Sequence, residues 1–537
     1  MTSLSPWMRE TPLGQCLCFL LRYPSRYDGE DSSGGDCEDH SPGGKPEAAI
    51  APVKNLPHPR HEIIISWDGP DDPRHPRNWS SGGKGIAIFI ISYVLLWFLR
   101  SIMALLTMAI NQAIFLRGLL ISQETASLVM SLYVIGYGTG PLLFSPLSEV
   151  PQIGRNPPYI LSFVIFVIIS VILGFVDNFP AMAVLRFFQG VFGSPCLATA
   201  GASIHDLYSE PMASYAVAIW VFCLFSGPAL GPVFSSHAVL EHWRWPFWQI
   251  FCMSGPCLIL MLCLLPETSS DTLLLRRARR ARRCIPKDGG NWSIAVPHVR
   301  QQQQIEDRHL LSDALVKPLE ITVKDPAVAF TCMYASFTYA IYYSFFEVFP
   351  LVYRGVYQMS LFNFSLSFLA IVVAATLGIL VYLIYLSHTF HKHPGDYKSH
   401  ESVFTPALPA AFFLPIGLFV FACTARVDIH WMVPTCGIVI YSGSLFIVYQ
   451  TILVYIPRSY PRYAASLFAA NDFARSLTAA AFIMATPYMY AHLGIRNGVI
   501  LLASISVLGI PLMMVLYWYG KTMRGRSKFT DTASNLP

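Results

Sequence analysis

Residues 158–176 read PYILSFVIFVIISVILGFV, a run of 19 residues without one charged side chain. A helix needs about 20 apolar residues to cross the ~30 Å hydrocarbon core of a bilayer. The whole chain has the same character, because 54% of its 537 residues are hydrophobic and only 13% are charged. A soluble domain has about 45–50% apolar and about 25% charged residues. The composition therefore excludes an ordinary soluble enzyme, a disordered scaffold and a nucleic-acid binder of the usual charged kind.

Twelve apolar runs of this kind fall into two groups of six, separated by a polar stretch. We number them spans 1 to 12, and their approximate limits are 85–109, 126–147, 158–176, 180–203, 214–236, 246–265, 326–352, 361–386, 403–423, 430–455, 463–489 and 496–519. We predict an all-α polytopic membrane protein whose twelve transmembrane helices form two pseudo-symmetric six-helix bundles, a layout that many secondary transporters share. The predicted divisions are a largely disordered cytoplasmic tail, the first bundle, a basic cytoplasmic linker, the second bundle and a cytoplasmic C-terminal tail, at 1–84, 85–265, 266–325, 326–519 and 520–537.

The distribution of Lys and Arg predicts the orientation in the membrane. If the N-terminal tail is cytoplasmic, 29 of the 37 Lys and Arg residues lie on the cytoplasmic side and 5 lie outside. Cytoplasmic loops are enriched in Lys and Arg, so both termini are expected in the cytoplasm. The linker carries six arginines between Arg276 and Arg283. These suit either contact with anionic lipid or simple anchoring of the linker inside.

The N-terminal tail also allows two interpretations. Residues 7–27 suit either a segment that lies on the membrane surface or an unstructured tail. In the first case, Cys16 and Cys18 are candidate acylation sites.

Ionisable residues inside the spans are the main functional candidates, because a charge in the membrane interior is costly. Arg186 in span 4 shares one helical face with Gln189, Gly190, Gly193 and Ser194, at i, i+3, i+4, i+7 and i+8. Lipid cannot satisfy a guanidinium group. This face must therefore point into the bundle or into a wet cavity.

Span 7 carries a second polar face, formed by Ser336, Tyr339, Tyr343 and Glu347. Aromatic rings beside a carboxylate suit amphipathic or cationic organic ligands, through stacking and cation–π contact. An acid that is desolvated there also suits proton exchange. The alternative role for Glu347 is to cap the outer end of the helix.

Three further ionisable residues lie within or at the ends of spans. Asp472 and Arg475 stand three residues apart near the start of span 11. They suit either proton coupling or an intrahelical ion pair at the cytoplasmic edge. Arg100 in span 1 is expected either to face the cavity or to pair with a carboxylate.

Glycine and proline are concentrated in two spans, as GYGTGP at 136–141 and GPALGP at 227–232. Small residues let helices approach closely, and proline bends a helix. No GxSxG, HExxH or P-loop motif occurs. No enzyme activity, ATP-driven motor, metal or cofactor is therefore expected.

Several motifs resemble those of the fungal drug:proton antiporters of the major facilitator superfamily. The segment 148–159, SEVPQIGRNPPY, resembles the subgroup that confers resistance to benomyl, caffeine, cycloheximide and fluconazole. The resemblance extends from Trp67 to Phe529. The motifs that carry it are WDGPDDPRHPRNWS (67–80), GPLLFSPLSE (140–149) with Gly154-Arg155, RFFQG (186–190), SGPALGP (226–232), LPET (265–268), YAAS (463–466) and RSKF (526–529).

The resemblance implies roles for individual residues. The arginine of the span 4 motif is implicated in proton coupling, and a charge pairing that involves Glu149 and Arg155 would latch the outward-facing state. The expected residues are, for proton coupling, Arg186, Glu347, Asp472, Arg475 and Arg100; for the substrate cavity, Gln189, Tyr339, Tyr343 and Gln450; for the inner-loop gate, Gly140, Glu149, Gly154 and Arg155; and for the antiporter motif, Gly227, Pro228, Gly231 and Pro232.

Two residues depart from the family pattern. Ser145 stands where the family often has glycine, which is expected to loosen packing at the inner gate. Arg100 stands where span 1 is usually uncharged. This second departure suggests a dedicated substrate, such as an acidic secondary metabolite.

The leading hypothesis is a proton-driven exporter of xenobiotics, antifungals or a secondary metabolite, in the plasma membrane or, alternatively, the vacuolar membrane. Proton-coupled nutrient uptake is the second hypothesis, and the motif at 227–232 argues against it. A sensor without transport activity is the third, and the short C-terminal tail and the unstructured character of the N-terminal tail argue against it. The expected partners are a small-molecule substrate, protons and the bilayer. No nucleic acid or obligate protein partner is expected, and the protein is expected to be a monomer.

Overall fold

The computed structural model describes most of the chain. The described residues are 10–15, 62–110, 123–284, 293–295, 320–322, 324–392, 400–460 and 464–525. For 62–64, 102–110, 123–126, 282–284, 293–295, 391–392 and 525 the description covers the backbone alone. The candidate acylation sites Cys16 and Cys18 and the motif at 526–529 lie outside the described residues.

The first bundle consists of six helical spans, and spans 3, 4 and 6 have proline in their first turn, where a missing N–H costs no hydrogen bond. They are span 1 (Ser81–Ile110), span 2 (Gln123–Glu149), span 3 (Asn156–Leu173), span 4 (Phe179–Gly193 and Pro195–Leu207), span 5 (Met212–Glu241) and span 6 (Trp245–Leu264). The break in span 4 at Ser194 directly precedes Pro195.

The second bundle repeats this plan. It consists of span 7 (Pro326–Phe349, continued as a π-helix over Pro350–Val356), span 8 (Leu361–Ser367 and Leu369–Lys392), span 9 (Ala407–Thr424, after a short 3-10 helix Glu401–Phe404), span 10 (Met432–Ser459), and spans 11 and 12. The helical stretch Ala464–Val507 contains span 11 and the first part of span 12, and Gly509–Gly525 completes span 12. Span 11 passes into span 12 at Gly494, whose φ of +74° breaks the helix without a long loop. Asp325 caps span 7, because its Oδ1 accepts hydrogen bonds from the N–H groups of Ala327 and Val328.

Ten stretches of the described residues are long and apolar enough to cross a membrane. The last of them, Ala464–Arg524, contains both span 11 and span 12, and span 7 is the one predicted span that is not among the ten. Span 7 is rich in tyrosine and serine, and every residue from Thr338 to Phe349 is buried. Neighbouring helices therefore cover it. The predicted fold class is confirmed: the protein is an all-α polytopic membrane protein with two six-helix bundles.

The two bundles meet along two seams. Span 2 packs along span 11, and span 5 packs along spans 8 and 10. At the first seam, Gly138 leaves room for the partner helix, since a Cβ atom at this position would lie 2.4 Å from Cβ of Ser476. The side chains that reach across these seams are the ones that a rearrangement of the bundles must release.

The face of the molecule that carries residues 150–155 and 265–284 is called the inner face here, after the orientation that the charges predict. Parts of the tail and the linker are ordered on this face. Strand β1 (Glu62–Ile64) pairs in parallel with strand β2 (Ser293–Ala295), and Ser270–Cys284 forms an amphipathic helix, called the linker helix. The prediction of a largely disordered tail therefore does not hold for residues 62–80, which form β1, the turns after it and a 3-10 turn at Pro76–Asn78.

Candidate functional site

Arg186 lies at the centre of a polar cluster inside the first bundle. It is fully buried, and its Nη1 donates to the carbonyl oxygen of Ser101 at 3.2 Å and to Oε1 of Gln189 at 3.0 Å. Gln189 in turn donates from Nε2 to Oγ of Ser170 at 2.7 Å. The ring of Phe247 lies 4.8 Å from the guanidinium carbon. The predicted shared face of Arg186 and Gln189 is thus confirmed.

The charge of Arg186 has no carboxylate partner among the described residues, and its Nε and Nη2 atoms make no hydrogen bond there. A buried guanidinium keeps its charge. Among the described residues, the contacts of this positive charge are with neutral dipoles and ring faces.

The second bundle holds the complementary cluster, around Arg475 and Asp472. Nη2 of Arg475 lies 2.6 Å from Oδ1 of Asp472, and both side chains are almost fully buried. The rings of Tyr339 and Tyr449 lie 4.9 Å and 6.0 Å from the guanidinium carbon. The intrahelical ion pair that the spacing suggested is confirmed, but it is buried against spans 7 and 10 rather than exposed at a membrane edge.

Three tyrosine hydroxyl groups join the bundles between these clusters. The hydroxyl of Tyr137 in span 2 lies 3.1 Å from those of Tyr339 and Tyr343 in span 7, which are 3.3 Å apart. The sequence predicted Tyr339 and Tyr343 but missed Tyr137. A signal was present, because Tyr137 is spaced i+4 from Tyr133 and i−3 from Gly140, on the face that packs inward.

Glu347 lies at the seam towards the outer face. It is buried, and its Oε1 accepts a hydrogen bond of 3.1 Å from Oγ of Ser127 in span 2 of the opposite bundle. The helix continues beyond Glu347 into the π-helix Pro350–Val356. The carboxylate is therefore a contact between the bundles rather than a simple helix cap.

Arg100 lies on the side of span 1 that packs against spans 5 and 6. Its Nη2 donates to Oε1 of Gln249 in span 6 at 2.9 Å, and its guanidinium carbon lies 4.8 Å from the ring centre of Phe234 in span 5. No described carboxylate lies within ion-pair distance of it, so the expected pairing with an acid is not found. Arg100 joins spans 1, 5 and 6 within the first bundle.

The inner gate is closed by direct contacts between spans 2 and 11. Glu149 accepts hydrogen bonds from the backbone N–H of Ser466 at 3.3 Å and from its hydroxyl at 2.7 Å. A carboxylate is favoured beside the first N–H groups of a helix, and Ser466 lies in the first turn of span 11. Oγ of Ser145 donates to the carbonyl oxygen of Ala465 at 2.8 Å. The prediction that Ser145 loosens the gate was therefore wrong.

Arg155 does not bridge the bundles. It pairs with Asp206 at the end of span 4 at 3.0 Å and donates to Oγ of Ser148 at 3.2 Å. Burial lowers the pKa of Arg155, but Asp206 and Glu149 outweigh this effect and raise the pKa above its usual value. Of the two predicted latch residues, Glu149 makes a contact across the seam between spans 2 and 11. Arg155 instead holds the loop to its own bundle.

The predicted glycines occupy close contacts. A Cβ atom on Gly140 would lie 2.0 Å from Oγ of Ser194, and one on Gly227 would lie 2.8 Å from Cβ of Leu99. Gly154 has a φ of +83°, which favours glycine. The remaining motif residues, Pro228, Gly231 and Pro232, are buried within span 5.

Gln450 lies apart from the tyrosines, where spans 5 and 10 meet. Its Nε2 donates to the carbonyl oxygen of Ser214, the third residue of span 5, at 3.0 Å. It therefore helps to close the inner face instead of lining the same cluster as Tyr339. Hydrogen bonds therefore join the bundles at both ends, between Ser127 and Glu347 towards the outer face and between Glu149 and Ser466 at the inner face. In the described part of the chain, no three His, Cys, Asp or Glu side chains come together as a metal site requires.

Comparison with known proteins places this architecture in a family. The chain matches the Major Facilitator Superfamily over residues 86–483. It is 39% identical over 476 residues to the MFS-type transporter pyvG of Aspergillus violaceofuscus, covering 87% of this chain and 86% of that protein. It is 33% identical to the cycloheximide resistance protein of Candida maltosa, over 90% and 88% of the two chains. It is 30% identical to the probable drug/proton antiporter YHK8 of Saccharomyces cerevisiae, over 76% and 79%.

Solved structures agree on the fold. The proton:xylose symporter XylE of E. coli superposes with a TM-score of 0.59 at 15% identity, over 82% of this chain and 96% of that one. At this identity the likeness concerns the fold alone. Since the family match covers most of the described helices and relatives of 30% identity or more extend over most of the sequence, the chain belongs to the Major Facilitator Superfamily.

Proposed function

We propose that the protein exports small organic compounds from the cell and that proton entry drives the export. The observation that carries this proposal is the pair of buried charged clusters on either side of the seam, Arg186 in one bundle and Asp472 with Arg475 in the other. Charged groups in a membrane interior are costly and usually lie on a substrate or proton pathway. The names of the relatives, among them a cycloheximide resistance protein and a probable drug/proton antiporter, support the same function.

The proposal gives roles to the predicted ionisable residues of the spans and to three predicted cavity residues. Glu347, Asp472 and Arg475 exchange protons or partners as the bundles rock, and Arg186 couples this exchange to the substrate. Gln189, Tyr339 and Tyr343, together with Tyr137, line the substrate site. Arg100 keeps spans 1, 5 and 6 together rather than carrying protons, because its contacts lie within one bundle.

The proposal also includes the place of the protein in the cell. Both termini and the basic linker lie in the cytoplasm, and the plasma membrane is the site of export. The excess of Lys and Arg on the inner side supports this orientation. The two bundles act as the moving units around the linker, and one chain is sufficient for transport.

Purified protein in lipid vesicles tests the function directly. We expect labelled cycloheximide or fluconazole to cross the vesicle membrane in the direction opposite to the protons that an imposed pH gradient drives. Added ATP should not change the rate. The Arg186→Ala variant, at equal abundance, serves as the inactive control. Transport that follows ATP, or that ignores the gradient, would contradict the proposal. Movement of the compound in the same direction as protons would instead favour the uptake hypothesis.

A second test uses intact cells with and without the protein. An exporter lowers the intracellular accumulation of the labelled compound. A sensor without transport activity leaves both cell accumulation and vesicle transport unchanged, which would contradict the proposal.

A further inference from the structure

The linker helix is held by acidic residues from the beginning of the chain. Three of its arginines are paired: Arg276 and Arg280 each bond to Glu10 at 3.0 Å, and Arg277 bonds to Asp68 at 2.9 and 2.7 Å. Neither contact with lipid nor simple anchoring accounts for these pairs, because the positive charges are already matched by carboxylates of the same chain. We call the pairs of Glu10 with Arg276 and Arg280 the Glu10 clamp, and the pair of Asp68 with Arg277 the Asp68 clamp.

The Glu10 clamp is the more closely fitted of the two. The side chain of Glu10 is only 13% exposed, whereas that of Asp68 is 63% exposed. A short turn fixes Glu10 in place, since the hydroxyl of Thr11 accepts from the N–H of Gly14 at 3.0 Å and the side-chain amide of Gln15 donates to the carbonyl oxygen of Glu10 at 3.2 Å. The same carbonyl accepts from the N–H of Glu267 at 3.3 Å. Glu10 therefore touches both the linker helix and the chain just before it.

Glu267 supports the loop of the inner gate. Its side chain is fully buried, and it accepts hydrogen bonds from the backbone N–H groups of Arg155 at 2.9 Å and Asn156 at 3.3 Å. A Cβ atom on Gly154 would lie 2.5 Å from its Oε2, so the loop closes directly onto this carboxylate. Burial raises the pKa of Glu267, and Arg276 is the main group that opposes this rise. The charge that holds the loop thus depends on Arg276.

Arg276 is shared between the two carboxylates. Its Nη2 lies 3.5 Å from Oε2 of Glu267, and its Nη1 lies 3.0 Å from Oε2 of Glu10. In contrast, Arg277 bonds to Asp68, Asp72 and the carbonyl oxygen of Ser66, which all lie in the segment before span 1. Of the two clamps, the Glu10 clamp is therefore the one that shares an arginine with the carboxylate that holds the gate loop.

We propose that Glu10 is a positioning residue of the inner gate: by sharing Arg276 with Glu267, it holds the loop 150–156 in the arrangement that lets Glu149 reach Ser466. The arginine face of the linker helix is accordingly a docking surface for the segment 10–15 of the same chain. Release of this segment weakens the closed inner gate and shifts the protein towards the state that is open on the inner face. The proposal rests on the transport cycle proposed above, since it describes the control of that gate.

The test measures the gate without measuring transport. Ala465 is buried at the contact between spans 2 and 11, where its backbone carbonyl accepts from Ser145. An Ala465→Cys reporter keeps this carbonyl and is labelled by a membrane-impermeant maleimide added to the inner face when the gate opens. The labelled peptide is identified by mass spectrometry, which separates it from the native cysteines.

We expect Glu10→Gln to raise the labelling rate about fivefold, at the low end of usual coupling between sites because the clamp is partly exposed. Asp68→Asn is the matched control, since it removes one carboxylate that pairs with an arginine of the same linker helix but leaves the contacts of Arg276 intact. The labelling rate of this variant should equal that of the parent. Arg276→Gln should act like Glu10→Gln, and the double variant should be no faster than Arg276→Gln alone. Equal rates for Glu10→Gln and the parent, or equal increases in Glu10→Gln and Asp68→Asn, would overturn the proposal.

Two further measurements keep the result interpretable. Melting temperature and monodispersity of each variant separate a gate effect from poor folding. If Glu10→Gln folds poorly, Glu10→Asp keeps the charge with a shorter reach and should give an intermediate rate, while a rate equal to the parent would overturn the proposal. Because labelling needs no substrate, failure of the proposed export and failure of this proposal give different results.

Discussion

Three buried arginines show how the same side chain serves different purposes. Arg475 is neutralised by Asp472, and Arg100 is held by an amide and aromatic rings between spans of one bundle. Arg186 has carbonyl, amide and ring partners among the described residues, where two of its nitrogen atoms make no hydrogen bond. A guanidinium cannot readily lose its proton, so the position of its partners determines its energy. The proposed coupling role of Arg186 is the one that this difference supports.

The first prediction concerns Arg186. Arg186→Ala should lower the efflux rate about tenfold to hundredfold, the effect of losing one or two charge-assisted contacts. Arg186→Lys should restore part of the rate, because lysine keeps the charge but not the planar fork. The measurement is efflux at matched surface abundance. Arg100→Gln, which also removes a buried guanidinium from this bundle, should keep most of the activity, and an equal loss in both variants would contradict the assignment.

The second prediction concerns Glu347. If it is a protonatable partner at the seam, Glu347→Gln should give weak export that is nearly flat from about pH 5 to about pH 8 outside. Ser127→Ala removes the hydroxyl donor but keeps the acid, so export by this control should still vary with pH. Efflux rate against external pH provides the measurement. Superimposable profiles for wild type and Glu347→Gln would show that Glu347 has no coupling role.

At the scale of helices, glycines set how closely spans approach. A Cβ atom on Gly190 in span 4 would lie 2.4 Å from the carbonyl oxygen of Tyr133 and 2.9 Å from the N–H nitrogen of Tyr137 in span 2. These neighbours are backbone atoms, which cannot turn away as a side chain can. A methyl group here must therefore push the two helices apart and disturb the positions of Arg186 and Gln189.

The third prediction follows from this contact. Gly190→Ala should destabilise the protein by about 1–3 kcal/mol, the usual cost of overpacking. Gly255→Ala in span 6 is the control, because no atom lies within 4 Å of a Cβ atom there. This second change should be neutral or slightly stabilising, since alanine favours the helix. Thermal melting of the purified variants decides between them, and similar melting temperatures would refute the close packing.

The sequence predicted the helices well, because a span of apolar residues is a local pattern. Its boundaries were less accurate, since hydropathy marks the bilayer and not the end of the helix: span 1 extends from Ser81 to Ile110 instead of 85–109. The break between spans 11 and 12 was located correctly, because Gly494 lies in the gap between the predicted limits 463–489 and 496–519. For the candidate site, i+3 and i+4 spacing identified Arg186 with Gln189 and Tyr339 with Tyr343.

Contacts between residues that are far apart in the sequence produce no local sequence pattern of this kind. Ser127 and Glu347 are 220 positions apart, and Arg276 and Glu10 are 266 apart. A single serine or glutamate carries no sign of which partner it will meet after folding. For this reason the sequence left the roles of Glu347, the linker and residues 7–27 open between alternatives, and none of these alternatives named the partners that the structure shows for Glu347, Arg276 and Glu10.

At the scale of the whole molecule, hydrogen bonds join the two bundles near both faces. Glu149 and Ser466 join the bundles at the inner face, and Ser127 and Glu347 join them towards the outer face. Opening one face requires that its contacts break while those at the other face hold. These hydrogen bonds contribute to the difference in free energy between the two openings together with the packing of the helices, and each of the hydrogen bonds is accessible to mutation.

The last prediction concerns the balance between these two closures. Glu149→Gln keeps the shape of the side chain but removes the charge that faces the first N–H groups of span 11. Such a contact is worth about 1 kcal/mol, so the population that is open on the inner face should rise about fivefold. Spin labels at the exposed positions Leu143 and Thr522, near the inner ends of spans 2 and 12, report this opening as a longer distance in pulsed electron paramagnetic resonance. Glu241→Gln, at the exposed outer end of span 5, is the control and should leave the distance distribution unchanged. If Glu149→Gln also leaves the distribution unchanged, the contact with Ser466 does not hold the gate, and the closure of the inner face must depend on Ser145, Gln450 and the packing of the helices.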